Sequence, residues 1–159
     1  MRIGSILENH KFEKRIAITP EIVKKYTSLG FEVLLSENYG SHLGMEDQRF
    51  IDEGAKISKD ESEVLNSSDI IVQLAVLSDE KSSIIKANQI LIGILNPYDN
   101  KEKLQSLIKK KVNLFSLELL PRITRAQSMD ILSSQANLAG YKAVIESFAN
   151  FEKAIPMMM

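Results

Sequence analysis

The sequence predicts an α/β fold around a parallel sheet, and three features carry that prediction. Short apolar runs alternate with amphipathic segments along the chain, the arrangement of successive βαβ units. Some runs are apolar throughout, such as Ile90-Leu91-Ile92-Gly93-Ile94-Leu95, as in strands covered on both faces. Helix punctuation falls between the runs: Thr19-Pro20-Glu21 opens a helix and Gly30 closes it.

In chain order, strands are expected at about 2–7, 31–36, 69–74, 90–95 and 112–118, which makes a five-stranded sheet. Between the first two, Ile22, Val23, Tyr26 and Leu29 form the buried stripe of the helix that the Thr19 hydroxyl caps. A second helix runs from about Met45 to Glu53 and stops at Gly54, and weaker helices follow at about 60–66 and 79–87. Asn100 caps a helix whose Leu104, Leu107 and Ile108 face inward, with Lys109, Lys110 and Lys111 at its negative end. The lysine run is therefore read as a helix terminus and not as a binding patch.

From about Thr124 to Ala154 one long helix is expected, a connecting rod longer than a crossover helix needs to be. Ala136, Ala139, Gly140 and Ala143 recur along it as a small-residue stripe. Glycine inside a helix costs roughly 1 kcal/mol relative to alanine, so Gly140 implies close packing. The domain reading is 1–125 for the α/β domain and 126–159 for the linking helix. Pro156-Met157-Met158-Met159 puts three apolar residues past a helix breaker and reads as an interrupted protein.

Hydrophobic residues at 44% and charged residues at 26% suit a chain that folds. A net charge of -1, with no like-charge block beyond Lys109–Lys111, excludes a phosphate-backbone footprint, so no nucleic acid is expected. The absence of cysteine removes disulfides, thiol nucleophiles and thiolate metal sites, and His10 and His42 are too few for a zinc centre. No stretch reaches the roughly 18 apolar residues of a membrane span, and the N-terminal run is too short for a signal peptide.

Two segments could carry chemistry. In the first, Lys14-Arg15 leads into the capped helix, where Arg15 could grip a carboxylate or phosphate near the C-terminal end of a strand; a solvated loop arginine is the alternative. The second runs from Pro121 to Asn137. Arg122 can hold an anion, Gln127 offers a donor and an acceptor to an amide, and Asp130 and Ser133 fall one turn apart on a helix. Together they could form a small amide-recognising site. Thr124 with Gln127 also fits a capping box, and Asp130 a first helical turn, so a purely structural reading stays open.

Residues 121–130, Pro-Arg-Ile-Thr-Arg-Ala-Gln-Ser-Met-Asp, closely resemble the NAD(P) transhydrogenase α subunits, as do Leu-Ser-Ser-Gln-Ala-Asn at 132–137, Ala-Gly-Tyr at 139–141 and Pro-Met-Met-Met at 156–159. Arg2-Ile3-Gly4 and the run from Arg15 to Pro20 resemble the wider family that includes alanine dehydrogenase. The resemblance covers the whole chain and is weaker from about 40 to 110. It implies a flavodoxin-like (Rossmann-like) three-layer domain beside a Rossmann domain, with NAD(H) between them and Arg122, Gln127, Asp130 and Ser133 around the nicotinamide and ribose. It also implies hydride transfer from NADH to NADP+, with NADP(H) held on a separate domain, coupled to proton translocation. The implied partners are a second copy of the chain, a membrane domain and an NADP(H)-binding domain. The implied location is cytoplasmic, peripheral at the inner face of the membrane.

Two departures weigh on that reading. Alanine dehydrogenases use a lysine after the third strand and a histidine after the fourth; Ala75 and Asn96 stand at those places and cannot exchange protons at neutral pH. An alanine dehydrogenase fragment is thus the lesser alternative, whereas direct transfer between two nicotinamides needs no such pair. The glycines lie at 4, 30, 40, 44, 54, 93 and 140, so no G-x-G-x-x-G turn exists to cradle a pyrophosphate. The chain then holds half a cofactor site and is expected to bind NADH very weakly and catalyse nothing alone. A freestanding interaction module, associating through the small-residue helix face, is the other alternative.

Overall fold

A computed structural model of the chain describes residues 1–154, so the Pro156–Met159 segment lies outside the described residues. The chain forms two compact units, Met1–Leu117 and Glu118 onward, each treated by itself below.

The first unit runs β1 (Arg2–Ser5), α1 (Pro20–Ser28), β2 (Glu32–Ser36), α2 (Asp47–Asp52), β3 (Ala55–Ser58), α3 (Glu61–Ser67), β4 (Ile70–Val72), α4 (Asp79–Ile84), β5 (Ile90–Gly93), α5 (Lys101–Lys109) and β6 (Asn113–Ser116). All strand pairs are parallel, in the order β3-β2-β1-β4-β5-β6. The parallel α/β class holds, with six strands in place of the expected five. The additional strand, β3, reads Ala-Lys-Ile-Ser and has no apolar run to announce it. It forms because β2 offers a full register, from Val33 opposite Ala55 to Ser36 opposite Ser58. This order is the doubly wound dinucleotide-binding one, where a five-stranded flavodoxin-like sheet would run 2-1-3-4-5.

Alternation along the strands feeds two cores. Leu34, Ile71 and Leu91 pack with Val64 and Leu65 of α3 and with Leu104 and Leu107 of α5. Ile3, Val33 and Leu35 pack with Val23 of α1 and Phe50 of α2. Gly4 lets α3 close onto the sheet, since a Cβ there would lie 2.0 Å from Ser68 Oγ. Two expected core residues face solvent: Leu29 is 71% exposed and Ile108 59% exposed. Leu29 is the C-cap of α1, beyond the turns that meet the sheet. Ile108, in the last turn of α5, stands beside the inward-facing Leu107 and so points away from the core.

The cap positions fall where expected, with different chemistry. Thr19 occupies the N-cap of α1, but its hydroxyl makes no capping bond and instead hydrogen-bonds Glu21. Asn100 likewise makes no capping bond, its amide donating to the Leu95 and Asn96 carbonyls. The lysine run does end α5: Lys110 is the C-cap, and its ammonium donates to the carbonyls of Ser82 and Ser83 at 3.3 and 3.0 Å.

The second unit is a 3-10 helix over Thr124–Met129 followed by α6 (Ile131–Ala149). The expected continuous helix from 124 to 154 is thus divided and shortened. Asp130 has extended backbone, with ψ 92°, because its carboxylate leaves the helical path to cap α6. Gly140 lies in open space, with no atom within 4 Å of a Cβ built there. Among the described residues no helix is long and apolar enough to cross a membrane.

Candidate functional site

The polar turn predicted from sequence is a built local structure. Ala126 is buried and fixes the 3-10 turn, its amide donating to the Ile123 carbonyl at 2.9 Å. Asp130 N donates to the Gln127 carbonyl, which hands the chain from the turn to the α6 cap. One Asp130 carboxylate oxygen accepts Ser133 N at 3.0 Å and the other accepts the Ser133 hydroxyl at 2.7 Å. The Ser133 amide, then its hydroxyl, and more weakly the Arg122 charge hold the Asp130 carboxyl below the usual carboxylate range. Asp130 is therefore a fixed anion and not a base.

Arg122 and Gln127 are exposed, and among the described residues neither side chain makes a hydrogen bond or ion pair. The turn thus divides its four candidates into two committed to each other, Asp130 and Ser133, and two with their polar atoms available. Thr124 and Gln127 form no capping box, because the helix that Gln127 would cap begins only at Ile131.

In the first unit the sheet order reverses between β1 and β4, and open α/β sheets bind ligands at that crevice. A cleft of about 510 Å³ lies there, lined by Leu7, Glu8, Phe12, Glu13, Gln73 and Ala75 among others. A polar network knits its floor. The Tyr39 hydroxyl accepts the amides of Ala17 and Ile18 at 3.1 and 3.2 Å, so its own proton goes to Ser5 Oγ at 2.7 Å. The Ser5 proton then points to Gln73 Oε1, whose amide also pairs with Ile6 N and O. Burial pushes the Tyr39 phenol up to about 12, which keeps it protonated.

Glu8 is the charge on this floor. It is 7% exposed, and its Oε1 accepts the amides of Leu74 and Ala75 at 2.6 and 3.3 Å. Burial raises its carboxyl above the ordinary carboxylate value, against those amides, which lower it. The sequence reading missed Glu8, Gln73 and Tyr39; the only available signal was polar residues just past apolar strands. Arg15, the lesser candidate, is bound to its neighbour Glu13, with Nη2 to Oε2 at 2.6 Å and Nε to Oε1 at 2.9 Å. Ala75 lines the cleft without a titratable group, and Asn96, which follows β5 with φ 43°, bonds Asp99.

Among the described residues no three His, Asp or Glu side chains are gathered to hold a metal ion. The family description "Alanine dehydrogenase/PNT, N-terminal domain" matches residues 5–139. Over its whole length the chain is 40% identical to the first portion of the NAD(P) transhydrogenase subunit alpha of Rickettsia prowazekii, and 40% identical to the corresponding protein of Rhodospirillum rubrum. It spans 43% of the length of each of these relatives. The crystal structure of transhydrogenase from Sinorhizobium meliloti superposes with a TM-score of 0.90 at 37% identity, covering 100% of this chain and 47% of that one.

Proposed function

From the premise that the chain belongs to the alanine dehydrogenase/PNT family as its N-terminal domain, we propose that it supplies one wall of the NAD(H) site of a proton-translocating NAD(P) transhydrogenase. The observation that carries the proposal is the turn at 122–133. Its Asp130–Ser133 pair is locked, and it presents an uncommitted amide at Gln127 and an uncommitted guanidinium at Arg122.

The residues fit one end of the cofactor. Gln127 offers a donor and an acceptor to a carboxamide, and Arg122 positions the turn and the anionic cofactor. The Asp130 carboxylate has acceptor capacity beyond its two bonds to Ser133, available to an amide or a ribose hydroxyl. A pyrophosphate does not fit here: the Asp130 carboxylate already takes the α6 N-terminus, where a phosphate would otherwise bind. That part of the cofactor falls to a Rossmann domain, to which the segment from 126 onward links. The nicotinamide supplies the hydride chemistry, passing it to NADP+ on a separate domain, while this chain orients and shields. The partners in this scheme are a second copy of the chain and the membrane and NADP(H) domains, which hold it at the inner membrane face.

Saturation-transfer NMR tests the proposal. NADH at millimolar concentration is expected to receive magnetisation at its nicotinamide protons from the chain, and Gln127→Ala to abolish the transfer. Equal transfer in both proteins removes Gln127 from the site.

A second reading, association through α6, is favoured by the exposure of that helix. Leu138, Tyr141, Val144 and Phe148 are each at least half exposed on it, and an apolar helix of this kind calls for a covering surface.

A further inference from the structure

The loop between β1 and α1 carries Phe12 and Glu13 at the rim of the switch-point cleft, and three contacts hold it. Two lie at its ends: Glu8 on the Leu74 and Ala75 amides, and the buried Tyr39 hydroxyl on the Ala17 and Ile18 amides. Between them the tip folds on itself, with the Asn9 carbonyl accepting the amides of Phe12 and Glu13. The third contact is His42, which lies in the short 3-10 turn Ser41–Leu43 after β2. Its Nε2–H donates to the Lys14 carbonyl at 2.7 Å, and its ring stacks on His10 with centroids 3.8 Å apart and planes 36° apart.

We propose that the His10–His42 stack is a latch, and that residues 7–15 form a strap it holds at the edge of the cleft. The two histidines are 32 positions apart in sequence and are the chain's only imidazoles. Their contact ties the strap to a surface turn outside both cores, whereas the end contacts tie it to the sheet. The latch is poised and not locked. His42 is exposed, and stacking encloses His10 Nε2 without a hydrogen-bond partner, a cost recovered when the ring returns to water. Phe12, 87% exposed at the tip, moves with the strap, so release changes the apolar rim and the Glu13 carboxylate that an entering molecule meets. The end contacts remain, so opening is local and the sheet stays intact.

Limited trypsin digestion of the 159-residue chain, read by mass spectrometry at the Lys11–Phe12 and Lys14–Arg15 bonds, tests the latch. His42→Ala is expected to accelerate cleavage at both bonds about tenfold, because protease cuts the opened form. Amide exchange of Val33–Leu35 in β2 is expected to stay at the wild-type rate. Wild-type cleavage rates in His42→Ala overturn the proposal. Should His42→Ala speed exchange in β2 as well, His10→Ala, on the strap itself, decides: faster cleavage with a protected β2 supports the latch, and wild-type cleavage overturns it.

Discussion

Tyr39 illustrates how one side chain serves both fold and site. Its hydroxyl accepts two loop amides and donates to Ser5, so Tyr39→Phe strands two donors and one acceptor in a buried place. Leaving such groups unsatisfied costs about 1–3 kcal/mol each, and urea unfolding is expected to show a loss in at least the lower part of that range. A midpoint equal to wild type would mean that water replaces the phenol. Glu8 gives a prediction of opposite sign. Its folded carboxyl lies above the unfolded value of 4.5, so the folded state binds the proton more tightly. Its stabilising contribution is fully present below pH 4.5 and is lost as pH rises through the folded value. Glu8→Gln keeps the acceptor for Leu74 and Ala75 but removes the buried charge. It is expected to raise the thermal midpoint at about pH 7 by roughly 2–4 °C and to leave it unchanged at about pH 4; thermal scans at both values check this. At this scale the sequence was legible only where local chemistry decides. Arg122, Gln127, Asp130 and Ser133 stand within a dozen positions, so a motif exposes them. The Tyr39, Ser5 and Gln73 network joins residues up to 68 apart, and nothing in the order of residues announces it.

Among the elements, apolar runs gave the strands that form the centre of the sheet, and Gly30 and Gly54 end α1 and α2 with φ of 85° and 99°. β3 escaped because half of its four residues are polar and its pairing comes from β2, a tertiary cause. The break before α6 was hidden for a related reason. Asp130 suits a first turn and an N-cap equally well by composition, and only the bonds to Ser133 decide for the cap. The exposed, apolar α6 leads to a prediction of its own. Sedimentation of the chain is expected to show concentration-dependent association, and Gly140→Leu to reduce it with helix content unchanged, since Gly140 lies open for a neighbouring backbone. Association that survives Gly140→Leu unchanged would take the small-residue face out of any interface.

As a whole molecule the chain combines a complete doubly wound sheet with an incomplete means of holding a dinucleotide. The sheet order creates a crevice at β1 and β4, but its floor carries the Glu8 carboxylate and has no glycine-rich phosphate turn. The polar turn of the second unit offers groups suited to a nicotinamide, and its helix N-terminus is closed to phosphate by Asp130. The division of labour follows: this chain orients one end of the cofactor, and the anchoring energy of the pyrophosphate comes from elsewhere. The fold class was readable from apolar periodicity, while the cofactor came through a motif resemblance, because an exposed amide and guanidinium do not by themselves specify a ligand. The most direct test is an amide-resolved NMR titration of the isotopically labelled 159-residue chain with NADH. The expected result is gradual, unsaturated shifts centred on Arg122 to Ser133, with a dissociation constant weaker than about 1 mM; saturation at micromolar NADH, or shifts confined to the first unit with the 122–133 turn silent, would contradict it.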